Sequence, residues 1–171
     1  MLRLAKAFFD IALGRRTPAH LPASKFLLAL VACAAALLEV LGAFLPPGPN
    51  DGILLRIVLG VGLPLAFSRV VLELARRRQR FLQTAIALLG IGVLAEIVLY
   101  PLGALLRITG ADRFAAIPLG LLLYVGLIWY LLACANIWRA ALDSGFILGG
   151  LISVGYLILS IALEQLLLPQ T

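Results

Sequence analysis

The stretch FLQTAIALLGIGVLAEIVLYPLGALL, residues 81–106, holds a single charged residue, Glu96, in an otherwise largely apolar run. A helix rises about 1.5 Å per residue, so about 20 apolar residues suffice to cross a ~30 Å hydrocarbon layer. Comparable stretches occupy residues 25–45, 53–75, 114–138 and 145–168. Because backbone polar groups cannot remain unpaired in lipid, each stretch is expected to be a helix. The sequence predicts an all-α integral membrane bundle of five transmembrane helices, forming a single membrane domain over residues 1–171.

The composition supports this class of protein. The chain is 63% hydrophobic and 13% charged, with a mean hydropathy of +1.11, whereas soluble domains are about 25% charged. Its formal net charge is +6, but the basic residues gather at the ends of the apolar stretches, where anionic headgroups and topology rules place them. We therefore expect the lipid bilayer as a partner and no nucleic acid.

Residues 2–14 precede the first span and predict a short amphipathic helix. Arg3, Lys6 and Asp10 recur at helical spacing on one face, and Phe8 lies on the apolar face. Such a helix can lie in the membrane interface or pack onto the bundle, and both arrangements bury the same face. We expect the interfacial position.

The distribution of basic residues predicts the topology. Loop 46–52 carries no Lys or Arg, whereas the next loop is strongly basic. Its basic residues are Arg76, Arg77, Arg78 and Arg80. Lys and Arg favour the cytoplasmic side, so we expect these arginines to be topology anchors rather than a ligand site. Trp138 beside Arg139 is typical of an aromatic belt at the same interface. A bacterial inner membrane, a cytoplasmic N-terminus and an external C-terminus follow as predictions.

Ionisable residues inside the predicted spans are the strongest functional signal. Glu39 and Glu96 fall within spans, and Arg56 lies just inside the second. A charge at depth costs on the order of 2.5–3.5 kcal/mol on insertion scales, so we expect these side chains to face the interior close together, with Arg56 between or above the acids. Tyr100, one turn from Glu96, could donate a hydrogen bond to it. The cluster is either a structural pin or a proton- or ion-binding site. Glu164 is expected to reach the headgroups.

Glycine and proline mark places where helices approach or bend. Gly145, Gly149 and Gly150 open the fifth span in a small-xxx-small pattern, which allows close approach to a helix of this chain or of a second copy. We expect packing within the chain. Residues 60–64 contain two glycines and a proline that interrupt the second span, and Pro101 interrupts the third. Such breaks usually shape packing, but they also frame substrate sites in transporters.

The sequence offers little for catalysis. His20 is the only histidine, and Cys33 and Cys134 lie within spans, where cysteine acts as a small apolar filler. The chain lacks nucleophile-elbow, zinc-protease and nucleotide-binding motifs. We expect no enzymatic activity, no cofactor and no metal site.

Three segments resemble the Yip1 family of five-span membrane proteins. LAEIVLYPLG at 94–103 is similar to that family's Tyr/Pro-containing span, LLYVGLIWYLLA at 122–133 to its Trp-centred span, and the fifth span opening at 144–145 also fits. The opening IALGRRTPAHLPAS, residues 11–24, resembles small bacterial proteins grouped near the family. The resemblance implies the five-span fold with an inside N-terminus and an outside C-terminus. Eukaryotic members contact Rab-type GTPases through a longer N-terminal region, which this sequence does not match, so that partnership is not expected.

Two functions follow from these observations. The first is a non-enzymatic scaffold or accessory subunit that binds lipids, other membrane proteins or a second copy of itself. The alternative is a small proton- or ion-coupled transporter that uses Glu39, Arg56 and Glu96.

Overall fold

The computed structural model describes Ile11 and residues 22–44, 52–109 and 113–167. These residues form five helices long and apolar enough to cross a membrane, and no strand occurs among them. The prediction of an all-α bundle with five membrane-length helices is confirmed. The helices are α1 Lys25–Ala43, α2 Ile53–Leu74, α3 Phe81–Thr109, α4 Arg113–Leu142 and α5 Phe146–Leu167.

The predicted interfacial helix over residues 2–14 lies outside the described residues, apart from Ile11. Ile11 is helical, only 1% exposed, and belongs to the core cluster with Leu27 and Val31 of α1. At this one position the apolar side chain packs onto the bundle.

The helix α3 is the centre of the bundle. It packs against α1, α2 and α4, and α5 packs against α4. Its first half is buried around the whole circumference, with small and branched residues such as Ala85, Ile86 and Ala87, which let three neighbours approach closely. Arg80 contacts the Ala140 carbonyl and Leu99 lies against Gly126, so α3 and α4 are antiparallel. Short connections join all successive helices, so α1, α3 and α5 run in one direction while α2 and α4 run in the other.

One end of the bundle, which we call the basic end, comprises loop 75–80 and turn 143–145. Both α2 and α4 stop there in a left-handed residue, Arg76 at φ 56° and Asp143 at φ 50°. The N–H of the next residue donates to a carbonyl of the last helical turn: Arg77 to Leu72 O at 2.7 Å, and Ser144 to Arg139 O at 3.1 Å. This is the hydrogen bond of a Schellman motif. The same device therefore closes the two helices that run towards this end.

Ion pairs tie the two connections of the basic end together. Arg80 Nη1 donates to Asp143 Oδ1 at 2.8 Å and to the Ala140 carbonyl at 2.9 Å, and Arg77 Nη1 donates to Asp143 Oδ2. Hydrogen bonds from Arg80, which has the larger effect, and from Arg77 lower the pKa of the Asp143 carboxyl. Arg80 also satisfies a carbonyl left free at the end of α4. We call Arg77, Arg80 and Asp143 the basic-end clamp.

The outer surface of the bundle is apolar. Phe114 is 92% exposed, Leu54 81% and Ile147 80%, which in water would be unfavourable. Lipid chains solvate such side chains, so the exposed surface agrees with the membrane assignment.

Candidate functional site: a polar cavity between the helices

A cavity of about 380 Å³ lies among the five helices, and each of them contributes to its wall. It holds three carboxylates, Glu39, Glu96 and Glu164, together with Arg56 and Arg107. From Phe67 to Arg56 on α2 the lining extends over about three turns, or ~16 Å along the bundle. The charged residues inside the spans therefore border one internal space rather than separate surfaces.

Glu39 is the most tightly held of these carboxylates. Its Oε2 accepts a hydrogen bond from the Tyr100 hydroxyl at 3.0 Å. Tyr100 was predicted to donate to Glu96, one turn away on its own helix; that partner was wrong. The Tyr100 ring turns instead towards α1, where Gly42 has no side chain and a Cβ would stand 2.7 Å from the ring.

On the side facing away from Tyr100, the Glu39 side chain packs against a π-helical turn in α2. The turn covers Val58–Gly62, and its end is marked by the Leu63 N–H bonding to Val58 O. Pro64 follows and has no N–H to donate, so the wider register can form at low cost. Glu39 packs against Gly60, where a Cβ would stand 2.9 Å from its Cδ. Only glycine at position 60 leaves the space that this carboxylate occupies.

Glu96 and Arg56 lie in the same cavity with unused hydrogen-bonding capacity. Glu96 Oε2 and Arg56 Nε are buried, and neither has a hydrogen-bond partner among the residues that the structure describes. The ion pairs within this part of the chain involve Glu73 and Asp143, not Arg56. The sequence placed Arg56 between or above the two acids; all three line the cavity, but no direct ion pair joins them in the described ranges.

Aromatic side chains close the cavity towards the basic end. The Phe67 ring lies 5.8 Å from Trp138 in an edge-to-face arrangement and 5.3 Å from Tyr156. Trp138 is 1% exposed, so its assignment to an interfacial belt was wrong. The indole packs against Phe67 of α2 and shares a core cluster with Leu72 of α2 and Ile152 of α5. The helix α4 continues to Leu142, about one turn beyond the predicted end. Nothing in the sequence pattern distinguished Phe67 and Tyr156 from lipid-facing bulk.

Two further charged residues line the cavity near its other end. Arg107, one residue beyond the predicted third span, belongs to α3, where it is exposed and borders the cavity. Glu164 was expected to reach the headgroups; it is exposed and also lines the cavity. Among the described residues, no group of three or more His, Cys, Asp or Glu side chains could hold a metal ion.

The remaining predicted residues lie away from the cavity. Gly149 is at the α4–α5 contact, where a Cβ would be 3.0 Å from the Arg139 nitrogen. A Cβ at Gly145 or Gly150 would meet no described atom within 4 Å, so these two glycines do not contribute to that contact. The four predicted topology anchors all lie at the basic end. Arg77 and Arg80 belong to the clamp, Arg78 lies 3.5 Å from Glu73, and Arg76 is exposed.

Comparison with family models, curated proteins and solved structures gives no match.

Proposed function

We propose that this chain is a non-enzymatic, multi-pass protein of the bacterial inner membrane, with a cytoplasmic N-terminus, that carries a small solute through its internal cavity in a proton- or ion-coupled manner. The observation that supports this proposal best is the set of unpaired polar atoms on Glu96 and Arg56 inside a membrane-spanning bundle. A purely structural pin is expected to pair its charges directly, since unpaired charge at depth is costly. A site that takes a ligand has to leave some of this capacity free.

The shape of the cavity suits alternating access. Towards the basic end it is closed by Phe67, Trp138 and Tyr156, and beyond them by the basic-end clamp. Towards the opposite end, the lining continues to Arg107 on α3. In this proposal, the structure corresponds to a state closed on the cytoplasmic side. Transport then requires the clamp and the aromatic layer to open while the other end closes.

The coupling step needs a group that can take and release a proton. Glu39 and Glu96 are carboxylates in the cavity, and Tyr100 already donates to one of them. A carboxylate that gains a proton from one side and loses it to the other changes the charge seen by a solute in the same space. Glu96 is the better candidate for this step because its Oε2 has no partner among the residues described.

Proton flux in proteoliposomes tests the proposal. We expect a pH-sensitive dye trapped in liposomes to report proton movement driven by a pH gradient when the parent protein is present. Glu96→Gln should lose most of that flux. Glu73→Gln is the matched control, because Glu73 lies outside the cavity and contacts Arg69 at 2.7 Å. Parent liposomes that behave like empty ones, or a Glu96→Gln variant with parent-level flux, would contradict the proposal.

A second candidate function, a scaffold or accessory subunit of the kind suggested by the Yip1 resemblance, is favoured by one different observation. The first half of α4 presents an open face with a shallow depression beside Ala116 and Gly120, and a Cβ on Gly120 would meet no described atom within 4 Å. Small residues let a helix of another membrane protein, or of a second copy, approach closely.

Crosslinking tests this second function. Gly120→Cys, in a Cys33→Ser background that removes the exposed native thiol, should crosslink to a partner in membranes. Leu54→Cys, at an 81% exposed position on α2, is the control and should not crosslink. Equal crosslinking at both positions would indicate random collision and count against a scaffold role.

A further inference from the structure

We propose that the solute of this cavity carries a primary ammonium group and that Glu96 is its acceptor. The inference rests on the proposed function, since it names the class of ligand for the same cavity. Three features of the cavity support it: the free oxygen of Glu96, the distribution of charge along the cavity and the aromatic wall.

The free oxygen of Glu96 requires a hydrogen-bond donor. An ionised carboxylate only accepts hydrogen bonds, and its Oε2 is buried without a partner in the described ranges. The nearest suitable hydroxyl on the same helix, that of Tyr100, is already given to Glu39. A ligand with N–H groups can fill this position, and a positively charged one does so most strongly.

The arginines of the cavity lie in another layer. Glu39 touches both Gly60 and Tyr100, which places these three residues at one level. Glu96 precedes Tyr100 on α3 by about one turn and so lies nearer the basic end. Arg56 precedes Gly60 by about one turn on the antiparallel α2 and so lies nearer the opposite end. The backbone positions of Glu96 and Arg56 are therefore separated by roughly 11 Å along the bundle, and that of Arg107 lies farther still from Glu96, at ~16 Å. Neither arginine of the cavity therefore lies at the same depth in the bundle as Glu96.

The wall around this deeper layer is aromatic. Tyr130 and Tyr156 line the cavity, and Trp138 and Phe67 lie beneath them. Aromatic faces attract organic cations and contribute about 0.5–2 kcal/mol each. A bare metal ion fits poorly, because no three His, Cys, Asp or Glu side chains in the described part of the chain are arranged so that they could hold one. The volume of about 380 Å³ suits a small organic molecule.

Trp138 provides a direct readout of binding. It lines the cavity, and the chain has only two tryptophans, so Trp129→Phe leaves Trp138 as the single tryptophan, which can be excited selectively over the four tyrosines. In detergent, this variant is titrated with butylammonium chloride, 1-butanol, sodium butyrate and sodium chloride. We expect a saturable fluorescence change with butylammonium alone. The neutral and anionic probes have the same four-carbon chain and therefore control for partition into the micelle.

Substitution then assigns the acceptor. In the same background, Glu96→Gln should weaken butylammonium binding by about tenfold or more, because a charge-assisted hydrogen bond is lost. Glu96→Asp keeps the charge and should still prefer butylammonium over butyrate. Glu73→Gln, outside the cavity, should bind as the parent does.

The outcomes separate this inference from the proposed function. Equal responses to butylammonium and 1-butanol, or undiminished binding by Glu96→Gln, would overturn the assignment of an ammonium ligand. Saturable binding of butyrate that is lost in Arg56→Gln would also overturn it, while leaving a solute-binding cavity intact. If no probe alters Trp138 fluorescence but proton flux is present, the ammonium inference fails alone; if flux is absent as well, both proposals fail.

Discussion

The carboxylate of Glu39 shows how single residues make a charge tolerable inside this bundle. Burying an ionised group is unfavourable unless hydrogen bonds replace the water it loses. Here Tyr100 donates to Oε2, while Gly42 and Gly60 provide the space for the Tyr100 ring and for the carboxylate. Two missing side chains are thus as important to this contact as the two side chains that form it.

Removing the Tyr100 hydroxyl tests this contact. Tyr100→Phe keeps the ring against Gly42 but deletes the donor to Glu39, so the free energy of unfolding should fall by about 0.6–1.7 kcal/mol, the range for polar contacts between membrane helices. Unfolding in mixed micelles with increasing SDS measures this change. Tyr124→Phe, at a 69% exposed position on α4, is the control and should leave stability unchanged. Equal losses for both variants would show that the hydrogen bond contributes nothing.

The sequence predicted which ionisable residues line the cavity, but it did not predict which of them form contacts with one another. Glu39, Arg56 and Glu96 stood out because ionisable side chains are rare in apolar spans, and all three border the cavity. Their pairing depends on how each helix is rotated about its axis, which hydropathy does not specify. Tyr100 and Glu96 are neighbours along α3, yet the partner of Tyr100 lies on α1 because Gly42 leaves room there.

Two adjacent glycines make the contact between α4 and α5 testable at the scale of elements. A Cβ at position 149 would press on the backbone of Ala135 and Arg139, which cannot move aside as a side chain can. Gly149→Ala should therefore lower the free energy of unfolding by about 1–3 kcal/mol, as overpacking does. The added methyl of Gly150→Ala points into open space, so this variant should leave the free energy of unfolding unchanged or raise it by up to about 1 kcal/mol, because alanine favours the helix more than glycine does. The SDS titration compares the two; similar values would mean that close helix approach is not needed here.

At the end of α2, a substitution by glycine should raise the free energy of unfolding rather than lower it. Arg76 is in the left-handed region at φ 56°, which costs a residue with a Cβ about 1–2 kcal/mol and glycine much less. Arg76→Gly should raise the free energy of unfolding by about 1 kcal/mol. Arg78→Gly removes the same charge from a residue of the 3₁₀ turn, where φ is not positive, and should not stabilise. If both variants lower stability alike, the Schellman ending is not strained by arginine.

The helices themselves were the most predictable level, because length and hydropathy determine what can cross a bilayer. All five spans appear, with α3 and α4 extending a few residues beyond the predicted ends to Thr109 and Leu142. The break predicted near Gly60 and Pro64 is a π-helical turn in an otherwise continuous α2. A proline and two glycines indicate that the regular hydrogen-bond pattern is disturbed, but not which register replaces it.

The basic-end clamp joins two connections that are far apart in the sequence and so ties the whole bundle together at one end. Arg77 and Arg80 belong to the connection between α2 and α3, and Asp143 belongs to the turn between α4 and α5. The sequence marked the arginines as topology anchors, which depends only on their charge and position. It could not pair them with Asp143, because that contact exists only once the bundle has assembled.

The clamp makes the stability of the bundle depend on pH in the acidic range. Hydrogen bonds from Arg80 and Arg77 lower the pKa of Asp143 in the folded protein below its unfolded value of about 3.9. Its contribution is therefore fully present above that unfolded value and is lost as the pH falls through the lower folded value. Asp143→Asn keeps a residue that tolerates the left-handed backbone but has no charge to titrate. Between pH 7 and pH 5 the parent should melt above Asp143→Asn by a constant margin. Below about pH 4 that margin should shrink, since protonation gives the parent the same neutral side chain. Differential scanning fluorimetry in detergent measures both curves. A margin that stays constant down to pH 2.5 would show that Asp143 does not hold the two connections together through its charge.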